Sequence, residues 1–215
     1  MMAHPIIVLG SGGHAKVVLD VLLLQRKHVL GLTTLDSNMF DTIYCGFPVL
    51  GNDDALERYS PSEIRLVNAL GSVESMKERK MLFEKFRVRG FHFEQVIHPM
   101  AVVAQDTFLG EGAQIMAGVV IQPGSHIGDN ALINTRASVD HDCGIGRHAN
   151  IAPGCTLLGG VIVGDETHVG AGATIVQGIK IGTRCLVAAG AVVICDIDDG
   201  HRVAGVPARR MRSDA

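Results

Sequence analysis

A histidine flanked by two carboxylates is the pattern in this chain with the clearest capacity for chemistry. The residues are Asp140, His141 and Asp142. A carboxylate that contacts one imidazole nitrogen fixes the tautomer and stabilises the imidazolium, so the other nitrogen becomes a better base near neutral pH. We therefore predict that His141 is a general base. The alternative is a solvated surface histidine beside two solvated acids.

A glycine further along the chain is predicted to join this histidine. The repeat described below brings residues 18 apart onto neighbouring turns of a coil, and Gly159 lies 18 residues after His141. The segment Leu158-Gly159-Gly160 exposes backbone where no side chain blocks approach. We predict that the Gly159 N–H faces the reacting carbonyl and stabilises an oxyanion.

A glycine-rich loop near the N-terminus is the second candidate site. Gly10-Ser-Gly12-Gly13-His14-Ala15 follows an apolar run, precedes a helical pattern and matches the dinucleotide fingerprint G-x-G-x-x-G/A. Backbone N–H groups at a helix N-terminus attract phosphate. In an NAD site, an acidic residue at the end of the second strand binds the ribose. This chain has Leu32-Thr33-Thr34-Leu35 there, and the domain is too short for a full dinucleotide fold. A mononucleotide or nucleotide sugar is predicted instead of NAD; a glycine turn without a ligand is the alternative.

The other histidines of the C-terminal half have simpler explanations. His126 and His168 hold equivalent positions of the repeat, which we predict to be corners, and His148 is near His141 in sequence. The His-x4-His spacing of the γ-class carbonic anhydrases is missing. We therefore predict no metal site, and zinc held by histidines of two subunits is the alternative.

A six-residue repeat supplies the scaffold that these residues need. From Ile97 to Val193 every sixth residue is Ile, Leu or Val, and the residues four places after each of these are mostly small. A period of six fits neither an α-helix nor a hairpin sheet, but it fits a coil with three short strands per turn. Stacked turns bury each other's faces. The pattern predicts a parallel β-helix of about five turns; a β-sandwich with short strands is the alternative.

The cysteines are interpreted as packing residues. Cys143, Cys155 and Cys185 occupy the small inward position of the repeat, where a buried thiol behaves as a small hydrophobe. The chain has five cysteines and no C-x-x-C pair. Reduced thiols in the cytoplasm are the simpler interpretation.

The first 95 residues alternate strand and helix patterns, which predicts a parallel sheet with helices packed on it. The predicted strands cover residues 5–9, 28–33, 46–50, 64–70 and 92–96, and the predicted helices follow the glycine loop to about residue 26 and cover residues 53–59 and 72–89. We predict an α/β domain at residues 1–95, a β-helix at 96–198 and a C-terminal tail at 199–215.

Composition excludes several classes of protein. The formal net charge of −3 gives no basic field for nucleic acid. The longest apolar run, Val17–Leu24, contains Asp20 and is far shorter than the ~20 residues of a membrane span. No signal-type apolar core follows the N-terminus. We expect a cytoplasmic protein.

Three motifs in one order give the chain a family resemblance. They are Gly10-Ser-Gly-Gly-His14 opening an α/β domain, Val139-Asp-His-Asp-Cys-Gly-Ile-Gly146 within hexapeptide repeats, and Gly205-Val-Pro-Ala-Arg209 near the end. Nearly the whole chain resembles the sugar acyltransferases of the sialic-acid O-acetyltransferase (NeuD) type, which include bacterial N-acetyltransferases of UDP-4-amino sugars.

The resemblance implies a fold and an assembly. The fold would be a small Rossmann-like α/β domain followed by a left-handed parallel β-helix of hexapeptide repeats. The assembly would be a homotrimer with active sites between neighbouring subunits.

The resemblance also assigns site residues. His141 would be the general base and Asp142 the acid that raises its basicity. The sugar nucleotide would lie against Gly12, Gly13 and His14, with Gly71 close by. Acetyl-CoA, the co-substrate, would run along later turns of the β-helix. The residues expected near it are Asn150, Ala171 and Ala189.

Four basic residues are our own candidates for binding the CoA phosphates: Lys180, Arg184, Arg209 and Arg210. Solvated surface charge is the alternative for each of them.

Two positions depart from the family pattern. An Asp pair that often contacts the nucleotide base is replaced by Thr34 and Leu35, which leaves the base open; Thr34 is included among the substrate-binding candidates. A second histidine is often found where this chain has Asn150, and an amide cannot act as an acid or base at pH 7.

These observations predict an acetyl-CoA-dependent N-acetyltransferase. Its substrate would be a 4-amino-4,6-dideoxy sugar on a nucleotide, expected to be UDP, in bacterial surface-glycan or glycoprotein biosynthesis. The sugar amine would attack the thioester directly, since no Ser or Cys pairs with a base to form an acyl-enzyme. The alternatives are a sugar O-acetyltransferase, a non-catalytic nucleotide-sugar-binding trimer, and a nicotinamide-dependent oxidoreductase.

Overall fold

The computed structural model describes residues 4–71 and 76–211, which form a small parallel sheet with helices and then a long β-solenoid. In chain order the elements of the first part are β1 (Ile6–Leu9), α1 (Gly13–Leu24), β2 (Val29–Thr33), a 3-10 helix (Ser37–Met39), β3 (Ile43–Tyr44), β4 (Phe47–Pro48), a second 3-10 helix (Asp53–Arg58), β5 (Arg65–Asn68) and α2 (Lys77–Val88). Strands β2, β1 and β5 pair in parallel in that order. The predicted α/β class is therefore confirmed.

Strand β1 is apolar at every position because both of its faces are covered. Ile6 and Val8 pack in the cluster that contains α1, whereas Ile7 and Leu9 pack in the cluster that contains α2. Successive strand residues point to opposite faces, so a strand buried on both sides is a continuous apolar run. Among the described residues, no helix is long and apolar enough to cross a membrane.

Two predicted elements take a different form in the structure. The extended segment predicted at residues 46–50 is one arm of an antiparallel hairpin, β3–β4. The helix predicted at residues 53–59 is a 3-10 helix, capped where the Asn52 side chain accepts a hydrogen bond from Asp54 N at 3.0 Å. The helix predicted from Ser72 is α2, and residues 72–75 lie outside the described residues.

Short parallel strands build the three faces of the solenoid. Face 1 consists of Val96–Ile97, Gln114–Ile115, Leu132–Ile133, Asn150–Ile151, His168–Val169, Leu186–Val187 and Arg202–Ala204. Face 2 consists of Val102–Val103, Val120–Ile121, Ser138–Val139, Thr156–Leu157, Thr174–Ile175 and Val192–Val193. Face 3 consists of Phe108–Leu109, His126–Ile127, Gly144–Ile145, Ile162–Val163 and Lys180–Ile181.

The register of the solenoid follows from the six-residue repeat. Ser138 pairs with Val120 on one side and with Thr156 on the other, so neighbouring strands of a face are 18 residues apart. The aliphatic residue that ends most strands points inward, and Ile133 and Ile151 are fully buried. The predicted β-helix is confirmed, and its topology is consistent with the left-handed class.

The inward cysteines occupy the positions that the repeat predicts. Cys143, Cys155 and Cys185 are at most 3% exposed. Burial raises the pKa of the Cys155 thiol to about 11. A thiol in that state is protonated at neutral pH and is a poor nucleophile.

The solenoid is longer than the repeat count suggests. It has about six turns, against the predicted five, because the pairing begins at Val96–Ile97 and extends to Arg202–Ala204. The last of these strands lies within the segment that we predict as a C-terminal tail. Beside it, Arg209–Arg210 adds a short antiparallel strand to face 1.

Face 1 carries the α/β part of the chain. Its outward residues Val96, Gln114 and Leu132 are at most 1% exposed, although they lie on the outside of the solenoid. Val96 and Leu132 join the apolar cluster of α1, and Gln25 Nε2 donates a hydrogen bond to Ile97 O at 2.6 Å. The edge where faces 2 and 3 meet is therefore the edge of the prism farthest from the α/β part.

Candidate active site

His141 lies on the edge between faces 2 and 3, in the turn that follows Ser138–Val139. Its Nδ1 is 2.8 Å from Asp142 Oδ2, and its backbone N–H donates to Asp140 Oδ1 at 2.8 Å. Asp142 has a φ of +57°, a left-handed conformation that short polar residues tolerate. The turn thus holds both predicted carboxylates against the histidine.

The two carboxylates raise the pKa of His141 above its ordinary value of 6.5. The hydrogen bond with Asp142 is the largest cause, and the charge of Asp140 is the second. Because a carboxylate only accepts hydrogen bonds, Nδ1 carries a proton and Nε2 is the basic nitrogen of the neutral ring. The His141 side chain is 62% exposed, so this nitrogen is open to a substrate.

Gly159 lies directly beside the basic nitrogen of His141. A β-carbon built on Gly159 would be 2.6 Å from His141 Nε2, so any side chain at this position would displace the ring. Gly160 N donates to His141 O at 2.9 Å, which locks the two turns together. The Gly159 N–H makes no hydrogen bond to any residue in the described part of the chain, so it is available as a donor. These features fit the predicted pairing of His141 and Gly159.

The glycine loop follows β1 and leads into α1, as the sequence predicts. Gly12 precedes the first turn of α1 and Gly13 begins it; a β-carbon on either would meet nothing within 4 Å. Tyr44 Oη donates to Gly12 O at 3.1 Å, which holds the loop against the β3–β4 hairpin. Gly71 lies beside His14, since a β-carbon on Gly71 would be 3.5 Å from His14 Cβ. The structure thus brings Gly12, Gly13, His14 and Gly71 together.

Thr34 contacts the glycine loop through its side-chain hydroxyl. It is 6% exposed, and its hydroxyl is 2.6 Å from Ser11 Oγ, inside the glycine loop. The same hydroxyl accepts a hydrogen bond from Asp36 N at 3.2 Å. That Thr34 contacts the nucleotide stays a prediction, whereas its contact with the loop is a feature of the structure.

A buried polar chain joins the glycine loop to the solenoid. His14 Nε2 is 2.8 Å from Gln114 Oε1, and Gln114 Nε2 donates to Asn68 O at 2.7 Å. Arg79 Nη1 also donates to Asn68 O, at 2.9 Å, and Arg79 is fully buried. This chain fixes His14 with respect to the β-helix.

Sequence reasoning missed Gln114, Asn68 and Arg79. The available signals are weak: Asn68 is a polar residue at the end of a strand that is otherwise buried, and Arg79 lies between Glu78 and Lys80 on a helix of mixed charge. The position of Gln114 in the repeat is the same as that of many solvated outward residues, so its burial could not be predicted from the repeat.

His148 is not part of the His141 site. It lies on the edge between faces 3 and 1 and is 2% exposed, with Nδ1 3.0 Å from Asn130 Nδ2 and Nε2 3.1 Å from Glu84 Oε1. Burial lowers its pKa. His148 therefore anchors α2 to the solenoid. His126 is the first residue of a strand on face 3, and His168 is the first residue of a strand on face 1. Both therefore lie on faces of the solenoid and not at the predicted corners.

The three residues expected near acetyl-CoA lie in two different places. Ala171 and Ala189 are exposed, stacked turn residues on the edge between faces 1 and 2, and Gly190 N donates to Ala171 O at 2.8 Å. Face 2 is bounded by this edge and by the His141 edge. Asn150 is on face 1, 1% exposed, with Nδ2 3.0 Å from His168 Nδ1. The structure thus does not bring Asn150 together with the two alanines.

The basic residues expected near the CoA phosphates are also dispersed. Lys180 is on face 3, Arg184 is on the edge between faces 3 and 1, and Arg209 and Arg210 form the antiparallel strand beside face 1. All four are exposed. They form no single cluster within one chain.

Family models match both parts of the chain. The PglD N-terminal domain matches residues 5–86. Bacterial transferase hexapeptide repeats match residues 100–141, 124–159 and 142–177, and the hexapeptide repeat of succinyl-transferase matches residues 160–195.

Three relatives cover most of the chain. GDP-perosamine N-acetyltransferase of Escherichia coli O157:H7 is 30% identical over 72% of this chain and 70% of its own length. PerB from Caulobacter crescentus, solved with CoA and GDP-perosamine, is 39% identical, with a TM-score of 0.90 and coverage of 98% of this chain and 99% of that one. The acetyltransferase domain of PglB from Neisseria gonorrhoeae, solved with acetyl coenzyme A, is 34% identical, with a TM-score of 0.90 and coverage of 98% and 100%.

The chain belongs to the NeuD/PglD-type sugar acyltransferase family. The resemblance found in the sequence is thereby confirmed. The predicted enzyme class, a sugar acetyltransferase, and the predicted co-substrate, acetyl-CoA, are confirmed at the level of this family. The roles of individual residues stay predictions, and the geometry around His141 is the main argument for them.

We expect Asp142→Asn to lower the pKa of His141 toward its ordinary value. The substitution replaces the carboxylate that is hydrogen-bonded to Nδ1 with a neutral amide, which stabilises the imidazolium less. Asn also tolerates the positive φ of this position. The measurement is an NMR titration of the His141 ring.

The matched control is Asp140→Asn, which removes a charge but leaves the Nδ1 hydrogen bond intact. Its effect on the pKa of His141 should be the smaller of the two. An equal or larger effect of Asp140→Asn would show that the 2.8 Å contact with Asp142 is not the main source of the shift.

Proposed function

We propose that this protein is an acetyl-CoA-dependent N-acetyltransferase that acetylates the amine of a nucleotide-linked 4-amino-4,6-dideoxy sugar. The observation that carries this proposal is the pairing of His141 Nε2 with a site kept open by Gly159, while Asp142 holds the opposite ring nitrogen. Relatives that span most of the chain are named N-acetyltransferases of nucleotide sugars or were solved with CoA or acetyl-CoA, which supports N-transfer over O-transfer.

The proposed reaction is a direct transfer. The sugar amine attacks the thioester carbonyl, the new N–C bond forms, and Nε2 of His141 accepts the amine proton. The positive charge that develops on the ring is stabilised by Asp142. The free N–H of Gly159 donates to the oxyanion as it forms. The C–S bond then breaks, and CoA leaves as a thiolate that takes up the proton from the His141 imidazolium.

The proposed site needs more than one subunit. The glycine loop rests against face 1, whereas His141 lies on the opposite edge of the same prism. A sugar bound at the loop of one chain is therefore presented to the His141 edge of another chain. We propose a homotrimer with an active site at each seam, and its support is the exposed apolar surface beside the same edge, where Val102 on face 2 is 63% exposed and Phe108 on face 3 is 55% exposed.

We propose a GDP-linked sugar as the first substrate to test. The expectation that the nucleotide is UDP comes from the family resemblance and not from particular residues of this chain. Of the three relatives described above, the curated enzyme acts on GDP-perosamine and PerB was solved with GDP-perosamine. Where the family often has an Asp pair this chain has Thr34 and Leu35, so its base specificity need not follow the UDP pattern.

We expect thiol release from acetyl-CoA when GDP-perosamine is supplied as the acceptor. UDP-4-amino sugars in the same assay test the alternative base. The product should carry an amide rather than an ester, and mass spectrometry with mild base treatment distinguishes the two. Binding of the nucleotide sugar without thiol release from any acceptor would favour the non-catalytic alternative and contradict the proposal.

We expect His141→Ala to reduce kcat by about 10²–10⁴-fold, the usual contribution of a positioned general base. In the wild type the rate should fall as the pH drops through the pKa of His141, because the imidazolium cannot accept a proton. That pKa is raised, so the fall should begin above pH 6.5. The variant should lose this limb of the profile.

The matched control is His28→Ala, a substitution of an exposed histidine in the α/β part. It should retain wild-type kcat and the same pH profile. The perosamine N-acetyltransferase of Caulobacter crescentus has been solved as H141N and H141A variants with CoA and GDP-perosamine.

We expect Gly159→Val to abolish most of the activity while the solenoid stays folded. The new side chain would occupy the position of His141 Nε2 and push the ring away, and a displacement of about 1 Å can cost about 10²-fold in rate. Gly159 does not require a positive φ, so the backbone accepts valine. If Gly159→Val keeps full turnover and unfolds at the wild-type temperature, Gly159 is not part of the active site.

A further inference from the structure

Gln114 connects the glycine loop to the solenoid through both ends of its amide. It lies on face 1 and is fully buried. Its Nε2 donates to Asn68 O at 2.7 Å, and its Oε1 is 2.8 Å from His14 Nε2. His14 is in the first turn of α1, next to Gly13.

These contacts determine which nitrogen of His14 carries the proton. A backbone carbonyl can only accept hydrogen bonds, so the end of the Gln114 amide that faces Asn68 O must be the NH₂ group. The other end is then the carbonyl oxygen, which is also an acceptor. His14 Nε2 must therefore donate, and in a neutral ring Nδ1 keeps its lone pair.

The charges around His14 favour the neutral ring. Arg79, from α2, is buried and donates to Asn68 O at 2.9 Å and to Leu70 O at 2.8 Å. Gln114 from face 1 and Asn68 from β5 are uncharged, so Arg79 is the charged group that faces His14 in the described part of the chain. Burial first, and the charge of Arg79 second, lower the pKa of His14 to about 4.

We propose that Gln114 is a positioning residue that fixes His14 as the Nε2–H tautomer, so that Nδ1 accepts a hydrogen bond from a hydroxyl or amine of the bound nucleotide sugar. The identity of the ligand rests on the proposed function, whereas the tautomer does not. A hydrogen-bond acceptor here would complement the N–H donors of the glycine loop. The loop would bind phosphate oxygens and His14 would bind a donor group.

The tautomer can be measured without substrate. Histidine labelled with ¹⁵N gives different nitrogen shifts for protonated and unprotonated ring nitrogens, and His14→Gln identifies the signal among the ten histidines of the chain. We expect a neutral His14 with the proton on Nε2 at pH 7. A proton on Nδ1, or a charged ring, would overturn the proposal even if the enzyme is active.

The functional test is Gln114→Glu. A carboxylate beside Nε2 stabilises the imidazolium, in which both nitrogens are donors, so Nδ1 no longer accepts a hydrogen bond. We expect KM for the nucleotide sugar to rise about tenfold at pH 7, as for one lost hydrogen bond. It should recover as the pH increases, while KM for acetyl-CoA stays unchanged.

Gln95→Glu is the matched control. Gln95 Nε2 also donates to a backbone carbonyl, Leu109 O, at 2.7 Å, but Gln95 does not contact His14. This variant should lose the hydrogen bond to Leu109 O with no change in KM for the sugar. Equal KM values for Gln114→Glu and Gln95→Glu would overturn the proposal.

If Gln114→Glu does not fold, Gln114→Met replaces it. Methionine removes both hydrogen bonds without adding charge, so the His14 signals should report a mixture of tautomers and KM for the sugar should rise. A single Nε2–H tautomer in Gln114→Met would show that Gln114 does not select it.

Discussion

The parallel pairing of each strand with the strand 18 residues further on is the constraint on which the candidate site depends. It stacks the turn of His141 on the turn of Gly159 and joins them by the hydrogen bond from Gly160 N to His141 O. The spacing between paired strands, about 4.8 Å, is set by the backbone. The stacking of the His141 turn on the Gly159 turn thus follows from the repeat length, and the contact with Asp142 orients the ring.

The same pairing separates the glycine loop from the His141 edge. The α/β part occupies face 1 through the buried outward residues Val96, Gln114 and Leu132. Faces 2 and 3, with the His141 edge between them, are left free. The glycine loop and His141 therefore lie on opposite sides of one chain, which is why the proposed chemistry depends on a second copy.

The six-residue period was sufficient to predict the solenoid, the inward cysteines and the relation of His141 to Gly159. Each of these follows from local spacing along one chain. The joint between the two parts could not be predicted in the same way. Gln114 precedes an inward Ile115 like many other outward residues, and only the docked α/β layer makes it a buried link to His14 and Asn68.

Asn150 lies apart from the two exposed alanines within one chain for a related reason, and the role of all three beside acetyl-CoA stays a prediction. The repeat shows which residues point outward, but it does not show which of the three faces is covered. Asn150 is on the covered face and contacts His168, whereas Ala171 and Ala189 are on an open edge. Burial on the outside of a solenoid depends on the docked layer, which the repeat does not encode.

The short antiparallel strand Arg209–Arg210 affects how copies of the chain can associate. A parallel sheet that ends with an unpaired strand can recruit the matching strand of another molecule and grow into a fibre. On face 1 the reversed strand occupies that edge and adds two positive charges to it. End-to-end growth along this face is therefore disfavoured.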